Sequence, residues 1–587
     1  MFLHWVDVVF NSQCLQFDCP IILAWTPKRN RHSMAHKKKG RKPVEKADKN
    51  QRVSPFRSVL GELNHFVFWP PFVFLLAVVV LNFTSPEQFN KLTTAAQSWI
   101  LFNFGWLFSI CAFACILICI LVFFSKFADV RLGGVDAKPL MNRWNWFAIT
   151  ICTTIATGIL FWATAEPLCH FGSPPPGLGI EPESPRAATF AISTMYLHWT
   201  FTPYAIYAVV SLTFAFAYYN MCKPFSLGST VVPLLGDRAT TGQMGNLIDA
   251  VCLYALVAGM AASLGTGIMA ISGGLNLLFG LPSNQLAWAA IAIFIVGCFI
   301  VSSATGLMKG IRILSDLNVK ALMCLVVIGF LFGPTVFIVN LGLESLGIYL
   351  SDFFAMNLFN GMVNERTAVE SGEAASYWSH NWTLFYWAVW IAWAPISACF
   401  LGRIAYGRTV REFMMFNLVL PALFGMFWMA VFSGIALHMQ MEGVADLFAI
   451  LNGEGPNQGY AFVTFEVFKT FPLAQGVIAF YVISLFICFV TSADSNTSAM
   501  AAISSTGISP DNPEGNIVVK VLWGTTVGTV AWVMISFAKV DGVKIISTLG
   551  GFPAAILLVL IIGSLIKILL NHERLNVVDQ QAKKKQS

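Results

Sequence analysis

The stretch HWTFTPYAIYAVV, residues 198–210, gathers Trp199, Tyr204 and Tyr207 around Pro203 inside a long apolar run. Lipid-facing helices are built from Leu, Ile and Val and keep Trp and Tyr mostly at their ends, so this group calls for another explanation. A second set, Trp382, Tyr386, Trp390 and Trp393, recurs at steps of four, four and three in HNWTLFYWAVWIAWAP, with Phe385 beside it. That spacing forms one stripe on a helix. Two such faces brought together can hold a quaternary ammonium, whose methyl groups donate no strong hydrogen bonds and whose charge is drawn to π faces; a desolvated contact is worth on the order of 2 kcal/mol. An interfacial belt or plain packing is the alternative for any single ring, and Trp382, close to a loop, reads as belt.

The elements that must position these rings follow from composition. With 587 residues, 56% hydrophobic and 11% charged, and a mean hydropathy of +0.68, the chain reads as an all-α polytopic membrane protein rather than a water-soluble multidomain one. Windows of about 19 residues give twelve spans, near 64–84, 100–124, 144–168, 188–219, 247–279, 286–305, 310–340, 381–402, 414–438, 475–504, 516–537 and 545–570. Basic residues (Lys126, Arg131, Lys138 and Arg143; Lys223 and Arg238; Lys309 and Arg312; Arg403, Arg408 and Arg411) mark alternate loops. Acids such as Glu181, Glu344, Glu365 and Asp446 dominate the others. The positive-inside rule then predicts a multi-pass protein with both termini cytoplasmic, and a plasma membrane, the bacterial inner membrane, is its expected location.

Spans 3–7 and 8–12 make two sets of five, and an odd number per set inverts the second, which is the arithmetic of an inverted-repeat transporter. Each set opens on a weakened span: TTIATGILFW (153–162), where small residues replace bulky ones, and WAPISACFLG (393–402), where Pro395 interrupts the hydrogen-bond ladder. Tight helix packing on small residues is the alternative reading. The organisation expected is a cytoplasmic basic tail over 1–60, two peripheral helices in 61–143, a first repeat over 144–340, an external loop with an amphipathic helix over 341–380, a second repeat over 381–570 and a basic tail over 571–587. Met34, opening MAHKKKGRK, is the expected native start, which puts the native status of 1–33 in question. The tails, with Arg574 and Lys583 to Lys585, could touch anionic lipid.

Other classes fit poorly. The basic residues form no aromatic-rich platform for nucleic acid, and most of the thirteen cysteines lie in apolar runs, as Cys111, Cys115 and Cys119 do, where they read as packing residues. A membrane enzyme would need clustered His, Cys or carboxylates, but the nine His are scattered, and HExxH, GxSxG and P-loop patterns are absent. A channel would call for rings of charge or filter repeats. No organic cofactor is expected.

The segments ATAEPLCHFGSPP, HWTFTPYAIYA, GLMKGIRILSDLN, WTLFYWAVWIAWAPISACFLGRIAYGRTVREF and VTSADSNTSAM together resemble the diagnostic segments of the betaine/choline/carnitine transporter family, over about residues 55–570. The resemblance implies twelve helices in two inverted five-helix repeats, osmoprotective secondary transport of a trimethylammonium compound or related zwitterion, and commonly a homotrimer. It implies that Trp199, Tyr204, Tyr207 and Trp390 form the substrate box, that Phe385 and Trp393 lie along the pathway, and that Ala156 and Gly158 in span 3 allow close backbone approach to a carboxylate end. Span 3 has Thr154, Ile155, Ala156, Thr157 and Gly158 where betaine carriers of the family have a Gly-rich pentapeptide, so the substrate among betaine, choline and carnitine stays open. Val389 replaces a second adjacent Trp.

The same resemblance implies a sodium site from Thr491 and Ser492 with the carbonyls of Cys152 and Ile155. Sodium-independent members carry an arginine in span 7 where this chain has Val319; Lys320 follows it, turned away by about 100° and within reach of Asp316. Sodium coupling is the expectation, with proton-coupled choline uptake and sodium-independent exchange as alternatives. Glu166 and Asp494 read as anchors of loop backbone.

Overall fold

The computed structural model describes residues 62–154, 156–304, 307–372, 374, 376–453, 457–508 and 515–586. The basic tail and the start at Met34 lie outside these, as does Ile155. The described residues form an all-α bundle. Ten helices are long and apolar enough to cross a membrane, or twelve when each of two bent pairs counts as one span.

The helices are α1 (His65–Thr84), α2 (Pro86–Phe124), α3 (Arg143–Thr154), α4 (Ala156–Gly172), α5 (Pro185–Trp199), α6 (Phe201–Ala215), α7 (Gly242–Phe279), α8 (Gln285–Ala304), α9 (Leu307–Phe332), α10 (Thr335–Ser351), α11 (Thr383–Ile404), α12 (Leu420–Met441), α13 (Ala474–Ile503), α14 (Ile517–Phe537) and α15 (Lys539–Lys584). Sequence accounts for most boundaries. α5 starts at Pro185, with the Ser184 hydroxyl accepting from the Ala187 N–H, because proline suits a helix's first turn and serine caps it. α9 stops before Gly333 and Pro334, so the run read as one span over 310–340 divides there and α10 begins a separate helix. Lys539, at φ 47° and ψ −128°, separates α14 from α15.

Burial sorts the helices. The most apolar window of Pro185–Asn220 is 94% buried, whereas that of Gln285–Ser302 is 17% buried. The aromatic-bearing span is therefore central, and α8 turns Ile293, Phe294 and Val301 outward toward the surroundings that an apolar face requires. The two spans expected to be weak are the two that bend: α3 and α4 by 55°, and the α11 region by 53° between Pro395 and Ser397. Pro395 has no N–H to donate into the ladder. Small residues let the central helices meet: a Cβ on Gly259 of α7 would lie 2.8 Å from Trp393 Cδ1, and one on Gly551 of α15 would lie 2.4 Å from the Ala388 carbonyl oxygen.

The segment GRIAYGRTVREF packs against the first turns of α3 and the residues that precede it. Thr409 caps the next helical turn in a capping box with Glu412, Arg408 lies 5.0 Å over the Trp146 ring, and Arg131 bridges to Thr409.

Candidate substrate site

α5 ends at Trp199 because Thr200, at φ −122° and ψ −113°, leaves the helical region. The break falls three residues before Pro203, which then sits in the first turn of α6, where its missing N–H costs nothing. The interruption directs Trp199 toward α11. Its ring meets Trp390 edge to face at 5.1 Å and 84°, and Tyr386 at 5.1 Å and 69°. Tyr386 and Trp390 stack at 6.3 Å and 23°. Tyr207 stands against Trp390 at 6.1 Å.

A cavity with about 420 Å³ of space between atoms opens beside these rings. Thr154, Thr157, Gly158, Trp162, Trp199, Phe385, Tyr386, Val389, Trp390, Trp393 and Val543 contribute to its wall. Of the residues expected to bind substrate, Trp199, Trp390, Phe385, Trp393 and Gly158 line it. Tyr204 and Tyr207 are buried but do not. The Tyr204 hydroxyl is 3.4 Å from Thr154 Oγ1, which places it behind the bend of span 3, and the Tyr207 hydroxyl is buried without a hydrogen-bond partner among the described residues. Ala156 opens α4. Gly158 has a direct steric role: a Cβ there would lie 2.4 Å from Trp199 Cζ3 and 2.6 Å from Cη2, so the indole rests on the backbone of α4. The Thr157 and Ser263 hydroxyls, 2.8 Å apart, join that bend to α7.

Glu166 organises the rings rather than loop backbone. As a fully buried carboxylate it accepts from His198 Nδ1 at 2.7 Å, His170 Nε2 at 3.2 Å and Trp199 Nε1 at 2.8 Å, and from the Tyr386 hydroxyl. His198 Nε2 pairs with Thr383 Oγ1 at 3.0 Å, and Trp390 Nε1 donates to the His198 carbonyl at 3.0 Å. The expected loop anchor is corrected here: a buried carboxylate needs partners, and its partners are the aromatic donors. The potential metal ligands Glu166, His170 and His198 cluster within 4.8 Å, but they already bond to one another. Trp382 is also corrected. It is 6% exposed, not an interfacial belt residue, and packs on Trp162 and His170.

At the expected sodium residues, Thr491 Oγ1 donates to the Ile487 carbonyl at 2.7 Å, and Ser492 Oγ lies 3.4 Å from Asn496 Nδ2. Both hydroxyl oxygens keep lone pairs for a hard cation. Ser492 borders a second cavity, which shares Ser263 and Trp393 with the first. The Cys152 side chain faces α9, meeting Asn318 Nδ2 at 3.4 Å, and Ile155 is outside the described residues. Val319 is buried, while Lys320 pairs with Asp316 at 2.7 Å on an exposed face. Asp494 accepts from Ser302 at 2.8 Å.

The profile described as BCCT, betaine/carnitine/choline family transporter, matches residues 66–574. The chain belongs to this family. The betaine/carnitine/choline transporter family therefore accounts for a multi-pass membrane transporter, not an enzyme. The chain is 31% identical to the glycine betaine transporter OpuD of Bacillus subtilis, over 86% of this chain and 95% of that one. It is 31% identical to the betaine/ectoine transporter LcoP of Corynebacterium glutamicum, over 89% and 81% respectively. It is 28% identical to an ectoine/hydroxyectoine transporter of Virgibacillus pantothenticus, over 87% and 98%.

Proposed function

We propose that this member of the family imports a quaternary-ammonium osmolyte or nutrient, glycine betaine, choline, carnitine or a related zwitterion, by sodium-coupled alternating access. The observation that carries this reading is the meeting of Trp199, Tyr386 and Trp390 beside a central cavity, an arrangement whose π faces suit a cation without N–H donors. The names of the relatives, betaine and ectoine carriers, support an osmoprotective role.

The 55° and 53° bends at the heads of spans 3 and 8 support two inverted repeats over spans 3–7 and 8–12, because discontinuous helices free backbone groups where a site is built. The alternation of basic and acidic loops supports cytoplasmic termini in a bacterial inner membrane. A homotrimer is the expected assembly. The hydroxyls of Thr491 and Ser492 supply hard oxygens for sodium, and Val319 offers no fixed cation in its place.

One observation favours a second reading, proton coupling. Glu166, bonded to His170 and His198, joins three titratable side chains in the membrane-spanning region and bonds directly to Trp199.

The test is uptake of labelled glycine betaine, choline and carnitine into proteoliposomes under separately imposed sodium and proton gradients. Saturable uptake driven by sodium is expected. Drive by protons alone transfers the reading to the Glu166 cluster, counterflow without either gradient supports exchange, and flux linear in concentration for all three compounds ends the carrier reading.

A further inference from the structure

Lys544 lies near the start of α15 and is 8% exposed. Its ammonium stands 4.5 Å from the ring centroid of Trp382 and 5.9 Å from that of Phe385. Among the described residues it makes no hydrogen bond or ion pair through Nζ; the carboxylates whose charge acts on it are Asp541 and Glu166. A buried ammonium is expensive unless something compensates it, and cation–π contact with two rings is part of that compensation.

Its neighbours connect it to the cavity. Phe385 and the preceding residue, Val543, both line the wall, and so does Trp162, on which Trp382 packs at 6.1 Å and 87°. Trp382 immediately precedes α11, and Tyr386 and Trp390 follow at steps of four, so at ~1.5 Å per residue the ring that the Lys544 ammonium approaches most closely starts about 12 Å along the helix from Trp390. It is distinct from the box formed by Trp199 and Trp390. The charge pattern of the loops assigns this end of the stripe to the outside, from which a substrate arrives.

We propose that Lys544 is a charge filter on the substrate route, which favours zwitterions that carry a carboxylate and disfavours choline, a net cation. This rests on the transport reading above and sharpens it from any quaternary ammonium to a carboxylate-bearing one. The physics is an ammonium held against two rings, followed by a cage for a positive charge. A compound with an anionic end is drawn to the first and its ammonium end passes to the second, whereas choline has no anionic end for Lys544 to attract. A unit charge at about 12 Å and an effective dielectric of ~20 changes the relative occupancy of two such compounds by roughly tenfold.

The experiment is competition between labelled glycine betaine and choline for uptake by the full chain in proteoliposomes, in wild type and in the variants Lys544→Met, Lys544→Gln and Lys544→Arg. Wild type is expected to prefer glycine betaine. Met and Gln should each shift the preference about tenfold toward choline, and Arg should preserve it. An unchanged preference in Met or Gln, or a wild type that prefers choline, overturns the filter and leaves the transport reading standing. Absence of saturable uptake of either compound by wild type overturns both.

Discussion

The indole N–H of Trp199 donates to Glu166 at 2.8 Å, so one wall of the aromatic site is fixed by a carboxylate on a different span. Replacing Glu166 with Gln removes the charge that four donors share and puts an amide N–H among them. Removing one partner of a buried charged network is costly. We expect glycine betaine affinity to fall at least tenfold although Glu166 does not line the cavity, and equilibrium binding to purified protein, with tryptophan fluorescence reporting ring position, measures it. Unchanged affinity and emission would show that Trp199 is held by packing alone.

Trp390 is the ring that Trp199, Tyr386 and Tyr207 all meet. Loss of one desolvated cation–π contact of about 2 kcal/mol corresponds to roughly thirtyfold in dissociation constant. Trp390→Leu should reach that loss in direct binding, and Trp390→Phe should fall between. Wild-type affinity in the Leu variant would sink the assignment of the box.

Gly158→Ala inserts a Cβ against the Trp199 indole. Overpacking of this kind costs on the order of 1–3 kcal/mol. Uptake should drop sharply while the protein still inserts and purifies, and the companion change Trp199→Phe, which shortens the ring, should restore part of it. If Gly158→Ala alone transports normally, the contact is not tight.

Thr491→Val together with Ser492→Ala removes both hydroxyl oxygens and nearly conserves volume. Half-maximal sodium activation should move to at least tenfold higher concentration, with glycine betaine affinity at saturating sodium little changed. Sodium activation indistinguishable from wild type would place the ion elsewhere.

Outside the spans, Glu365 accepts from the Ser379 N–H at 3.1 Å and from its hydroxyl at 3.1 Å, and Gly361 makes room for the pair with φ +71°. Burial pushes the Glu365 carboxyl up to about 7, against the opposing pull of the Ser379 donors. Because the folded value exceeds the ordinary carboxylate value, the folded loop binds an extra proton between the two. Its stabilisation is full below the ordinary value and is lost as pH rises through about 7. Hydrogen exchange across residues 359–380 should therefore be slower at pH 5.5 than at pH 8 after correction for intrinsic rates, and Glu365→Gln should flatten the difference.

Periodicity carried what depends on near neighbours along the chain. The apolar windows locate the spans, and Pro395 and the TTIATG run anticipate the two bends, because both are properties of a few consecutive residues. The stripe on α11 and Trp199 were legible for the same reason. The break at Thr200 was not: it falls three residues before Pro203, set by tertiary packing, and leaves Tyr204 and Tyr207 behind the cavity wall, with Tyr207 backing Trp390. The Glu166 network joins spans 3, 4 and 8, and no local spacing encodes such a meeting. Trp382 looked peripheral because its position was judged by distance to a loop, whereas Trp162 and His170, far away in sequence, cover it. Lys544 was hidden for an opposite reason: a charge ends a hydropathy window, so the span was begun one residue after it.

The indole of Trp199 and the backbone of Gly158 leave no slack between them. The ring also bonds to Glu166 of the same helix, so a movement of α4 relative to α3 carries the ring with it, like a pawl resting on a ratchet tooth. The bend and the ring form one mechanical part. Flexing of the broken helix is transmitted to the side chain that would face the cargo, with no messenger residue in between.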